Sequence, residues 1–118
     1  MTVRIQLLFL IGFFITSCNS QDCSNFKNSF SSYEQAKKII ETTDFELYDK
    51  CNTSKSSWIL KAEYYSCDKK NGYLIIRTRK KTYIHKRLPK KLWNEFKNAD
   101  SFGKFYNARI KGKYQLII

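Results

Sequence analysis

The chain has 118 residues, a formal net charge of +12 and an aromatic content of 16%. That length fits one domain, and so many large rings supply a real core, which excludes a wholly disordered chain. The positive balance attracts polyanions, whether nucleic acid, anionic lipid headgroups or acidic envelope polymers, because Coulombic attraction is largely indifferent to the anion; the alternative is that the charge serves solubility.

Met1–Arg4 carry one positive charge, and Ile5–Ile15 form an apolar run interrupted only by Gln6 and Gly12. A run of about 11 residues is too short to span a bilayer and suits a signal peptide. The residues that follow, Ile15-Thr16-Ser17-Cys18, resemble the lipobox of bacterial lipoprotein precursors. The resemblance implies a signal peptide over 1–17, cleavage before Cys18 and lipidation of that cysteine, giving an exported, membrane-anchored protein of the cell envelope. Acyl chains worth about 0.8 kcal/mol per buried methylene anchor a protein without a transmembrane helix. Asn19 follows Cys18, so no aspartate signals inner-membrane retention. The alternative is ordinary secretory cleavage near Ser17 with Cys18 unmodified. Either cleavage leaves about 101 residues carrying about +11.

The stretch 18–29 is polar and reads as a flexible tether, and 30–55 as an N-terminal helical extension. Ser31-Ser32-Tyr33-Glu34 has capping-box spacing, and Tyr33, Ala36, Ile39 and Ile40 then share one helical face to about Thr43. Phe45 and Leu47 alternate with polar residues too briefly to fix a strand before the loop at Lys50–Ser56. Three cysteines remain after Cys18: Cys23, Cys51 and Cys67. Export permits disulfides. Cys51 and Cys67 flank a predicted strand and are the candidate pair, the alternative being two buried free thiols, while Cys23 lies in the tether.

From Trp58 the period becomes two: Trp58, Leu60, Ala62 and Tyr64 alternate with Ile59, Lys61, Glu63 and Tyr65, as in a half-buried strand. Asn71-Gly72 signals a turn into a second strand over Tyr73–Thr78, and Arg79-Lys80-Lys81 a basic turn into a third over Thr82–Lys86. Pro89 suits the first turn of a helix whose Leu92, Trp93, Phe96 and Ala99 share a face. A second short helical piece carries Phe105 and Tyr106, and Tyr114–Ile118 ends the chain as an edge strand or packed tail. The expected class is α+β: a small three-stranded antiparallel sheet covered by one or two helices, with an additional N-terminal helix.

Within 56–118, the pieces Ser56-Ser57-Trp58-Ile59, Tyr83-Ile84-His85 and Ser101-Phe102-Gly103-Lys104-Phe105-Tyr106-Asn107, with Ile110, Gly112 and Tyr114, resemble the KTSC domain. That module is named for its place at the carboxyl end of some lysyl-tRNA synthetases. His85 stands where the family's central YxY motif has its second tyrosine. The resemblance implies a domain of uncharacterised function, with RNA binding suggested by its company with a synthetase.

Lys69–Lys91 holds ten basic residues and no acidic ones, with Tyr73, Tyr83 and His85 interleaved. Strict alternation puts Arg77, Arg79, Lys81, Tyr83, His85 and Arg87 on one parity, as a candidate binding face, unless the turn at Arg79–Lys81 resets the phase. The bland reading is a solvated sheet face. Cys67 and His85 are the only conceivable nucleophile–base dyad, and no glycine-rich phosphate loop or paired carboxylates are present. One histidine and no CxxC spacing leave a metal site nothing to build on. No cofactor, metal or catalysis is therefore expected. The chain reads as a membrane-tethered basic binding module for an anionic envelope component or an acidic protein partner, with an RNA-binding domain as the alternative and a small thiol-dependent enzyme behind both.

Overall fold

The computed structural model describes residues 21–118. The lipobox-like segment and Cys18 lie outside the described residues. In chain order the elements are α1 (Tyr33–Thr42), β1 (Leu47–Cys51), β2 (Ile59–Ser66), β3 (Asn71–Thr78), β4 (Thr82–Pro89), α2 (Lys90–Lys97) and α3 (Phe102–Phe105), which runs into a π-helical turn at Tyr106–Ile110.

The strands form one antiparallel meander ordered β1-β2-β3-β4, four strands where three are expected. The added strand is β1, which pairs along its whole length with β2 from Leu47↔Ser66 to Cys51↔Ala62. Side-chain bonds also fix it to a helix. The Asp49 carboxylate accepts from Trp93 Nε1 at 2.9 Å and from Lys97 Nζ at 2.6 Å, both on α2.

Helices and chain segments cover both faces of the sheet, because both faces of β2 and β3 are apolar. On one face Ile59, Ala62, Tyr64, Leu74 and Ile76 meet Leu92, Trp93 and Phe96 of α2 and Phe102, Tyr106 and Ile110 beyond it. On the other, Tyr65, Ile75 and Ile84 meet Ala36 and Ile40 of α1, Leu116, and the rings of Phe26, Phe30 and Phe45. Ala62–Ser66 are consequently buried without alternation, so β2 is not the half-buried strand its period suggests. A bulge between Ile59 and Lys61 also breaks the phase and leaves Leu60 exposed.

Asn71-Gly72 does not form the β2–β3 turn but opens β3. The turn lies at Cys67–Lys70, where Lys69 takes a left-handed backbone (φ 62°) and Asp68 Oδ1 accepts from the Lys70 and Asn71 amides at 2.8 and 2.9 Å. Gly72 serves close approach instead: a Cβ there would lie 2.3 Å from the Tyr65 carbonyl oxygen. Pro89 caps α2 as the last residue of β4.

The segment preceding α1 is not a free tether in its described part. Cys23 is bonded to Cys67, with Cα atoms 5.6 Å apart, and Phe26 packs on Phe45 and Tyr73 at ring-centroid distances of 5.3 and 5.7 Å. Cys51 and Cys67 are not joined. Cys51 pairs with Ala62 at one end of the β1–β2 ladder, whereas Cys67 follows Ser66 at the other, about five residues or roughly 16 Å away along β2. Cys51 remains a free thiol, and burial raises its pKa.

Candidate functional site

The structure disperses the six residues of the expected basic face. The turn at Arg79–Lys81 resets the strand phase: Thr78 Oγ1 accepts from the amides of Lys80 and Lys81, both at 3.2 Å, and donates to the Lys81 carbonyl at 2.9 Å. Arg77 stays on the α1 side, lining a groove with Tyr48, Lys61 and Glu63. There the buried Glu63 carboxylate accepts from Tyr48 Oη at 2.5 Å and lies 3.7 Å from Lys61 Nζ; the bond to Glu63, then burial, push the Tyr48 phenol up to about 12.

Arg79 and Lys81 are exposed at the turn. The Lys81 ammonium sits 4.9 Å from the centroid of Tyr83, a ring that packs against the α2-side core. His85 is no surface ligand. It is 2% exposed, its Nδ1 lies 3.2 Å from the Leu74 carbonyl oxygen, and its Nε2 lies 2.9 Å from Tyr106 Oη. A carbonyl only accepts, so Nδ1 carries the proton and Nε2 accepts from the tyrosine. Burial lowers the His85 pKa to about 4 against a small raising effect of the Leu74 bond, so the ring is neutral. With Cys67 held in a disulfide and His85 bonded inside the core, the thiol–imidazole pair is not assembled.

Arg87 belongs to a different site. Between Gly72↔Leu88 and Leu74↔His85 the ladder shifts, so that Lys86 and Arg87 together face the single residue Tyr73. Arg87 has a left-handed backbone, φ 57°, which is costly for a branched-free but bulky L-residue. This bulge borders a cleft of about 420 Å³ lined by Phe26, Phe45, Tyr65 and Tyr73, by Asn28, Asp68 and Asn71, and by Lys86 and Arg87, with Cys67 in its wall. The rings pack edge to face or tilted at centroid distances of 5.3 to 6.4 Å. Burial raises the Tyr73 pKa, and the nearby Arg87 charge opposes the rise. Phe26, Tyr73 and Lys86 are absent from the expected site. The available signals were the aromatic residues scattered through a polar segment and an odd cysteine, neither of which specifies a partner.

A second motif has a packing role. A Cβ on Gly103 would lie 2.5 Å from Trp58 Nε1, so the glycine of Ser101-Phe102-Gly103 seats the indole of Ser56-Ser57-Trp58. Trp58 in turn packs edge to face on Tyr106, the hydrogen-bond partner of His85. Residues from three separated stretches thus form one connected unit, and the model of the family described as the KTSC domain matches residues 55–114, just over half the chain. The chain belongs to the KTSC family. A crystal structure of a KTSC domain protein from Yersinia pestis is 31% identical, covering 60% of this chain and 100% of that one, with a TM-score of 0.49. No curated protein matches. The cleft straddles the domain limit: Tyr65, Tyr73, Lys86 and Arg87 lie inside the KTSC match, while Phe45 comes from the N-terminal extension and Phe26 and Asn28 from the segment just before it. Among the described residues no helix is long and apolar enough to cross a membrane, and no three His, Cys, Asp or Glu side chains are grouped to hold a metal.

Proposed function

We propose that this KTSC protein is an exported, lipid-anchored, non-catalytic binding module whose basic surface contacts an anionic component of the cell envelope. The observation that carries the reading is the excess of positive charge left without acidic partners. Ion pairs among the described residues engage Lys37, Lys61, Lys97 and Arg109, while Arg79, Lys80 and Lys81 stand exposed on one turn. An acidic protein would satisfy the same surface.

The disulfide supports the export half, since such bonds persist in oxidising compartments and are rare in the cytosol. The covered sheet supports binding through charge over base stacking, because both faces carry core side chains and Tyr83 packs inward. The intact mass of the mature protein from the membrane fraction tests the anchor. A chain starting at an acylated Cys18 is expected. An unprocessed chain in the cytosol would overturn the localisation and move RNA to the front. Retention on an immobilised anionic polymer, weakened when Arg79 and Lys81 are replaced by Gln, tests the surface.

A further inference from the structure

We propose that the cleft between the N-terminal extension and the KTSC domain binds a sugar ring carrying an anionic group, the rings of Phe26, Phe45, Tyr65 and Tyr73 meeting the sugar and Lys86 and Arg87 its charge. The proposal names a ligand class for the binding reading above, at a place distinct from the Arg79–Lys81 turn.

Three features converge there. The first is size and wall chemistry: about 420 Å³ is within the range of small-molecule sites, and the lining joins aromatic rings to a few polar groups. A lipid chain would want a dry apolar wall. A pyranose, with apolar C–H faces and a rim of hydroxyls, matches rings beside the amides of Asn28 and Asn71.

The second is the bulge. In a regular strand Lys86 and Arg87 would point to opposite faces. The extra residue places both against Tyr73 and on the lining of one cleft, at the expense of a left-handed backbone at Arg87. Strain of this kind persists where the surroundings enforce it, and it clusters at ligand sites. Two adjacent cations against the one carboxylate of Asp68 leave the rim positive.

The third is preorganisation. Phe26 follows Cys23 by three residues, and the Cys23–Cys67 bond fixes that segment beside Tyr73 on the cleft wall. A wall already in place loses little freedom when a ligand arrives.

The test is titration of the disulfide-intact protein, followed by amide resonances. The probes are a glucuronate-containing tetrasaccharide and glucose 1-phosphate, with neutral chitotetraose as control. Shifts are expected around Phe26, Tyr73 and Arg87 for an anionic sugar, with the carboxylate and phosphate probes showing which anion is preferred. The neutral sugar should bind about tenfold more weakly. Arg87→Gly provides the decisive variant: glycine accepts the left-handed backbone, so the fold is kept, yet affinity should fall about tenfold. Lys86→Gln should act in the same direction. Absence of shifts with both anionic probes, equal binding of chitotetraose, or unchanged affinity in Arg87→Gly would each overturn the proposal. Shifts confined to Arg79–Lys81 would also overturn it while leaving the basic-surface reading intact.

Discussion

His85 is held inside the core between the Leu74 carbonyl and the Tyr106 hydroxyl, and burial makes it a liability in acid. Its folded pKa of about 4 lies below the ordinary 6.5, so between those values the unfolded chain takes up a proton that the folded chain refuses. Stability from this group is complete above pH 6.5 and falls with pH down to about 4. A shift of this size corresponds to about 3 kcal/mol as an upper bound. Urea unfolding across that window should show the midpoint dropping with acidity, and His85→Gln should flatten the slope; an equal slope in the variant would place the effect elsewhere. The carboxylates of Asp49 and Asp68 have lowered pKa values and contribute their loss below the same window. Gly103 is limiting for a steric reason. Gly103→Ala pushes a methyl to 2.5 Å from Trp58 Nε1, inside a packed aromatic unit, and should destabilise by about 1–3 kcal/mol in the same assay. A glycine at that spacing was readable as a motif, but the reason for it was not, because the indole it accommodates comes from 45 positions earlier, before β2.

At the scale of elements, the two hairpins and α2 were legible because each carries a local signal: period two in β2, a β-favouring run over Tyr73–Thr78 in β3, and the stripe Leu92, Trp93, Phe96 behind a proline. Strand β1 was not, since five residues give only a brief alternation and its place is fixed by Asp49 reaching Trp93 and Lys97 on α2. The polar stretch before α1 read as a tether for a related reason. Its anchors, Cys23 and Phe26, are two isolated residues whose partners in the β2–β3 hairpin, Cys67 and Tyr73, lie more than 40 positions away. The disulfide is the stronger anchor. Its sequence separation of 44 corresponds, in the chain-entropy model, to about 4 kcal/mol of stabilisation, with 2–4 the usual yield. Cys23→Ser should lower unfolding stability by that amount, and chemical reduction of the native protein should reproduce the loss. Since the KTSC match begins at residue 55, the variant should loosen the extension before the domain. Hydrogen exchange at α1 should rise more than at β3; uniform acceleration would mean that extension and domain unfold as one unit.

For the whole molecule, the decisive quantity is how the charge is distributed over the surface that folding leaves exposed. The candidate face failed as a single stripe because a sheet covered on both sides has no free face to carry it. What remains is a set of cations at turns and edges, including Arg79, Lys80 and Lys81 between β3 and β4 and Lys86 and Arg87 at the bulge. A diffuse surface of this sort binds polyanions through counterion release, so affinity should fall steeply with salt. Each cation that contacts the polymer contributes about one to the slope of log affinity against log salt. Replacing Arg79 and Lys81 together by Gln should therefore reduce the slope by about two, with little change in stability because neither side chain belongs to the core. Tyr83→Leu should leave the slope unchanged, since its ring packs inward beneath Lys81 and contributes no charge. A slope insensitive to the turn but reduced by Lys86→Gln would move the contact to the cleft, making the anionic sugar there part of the same polymer.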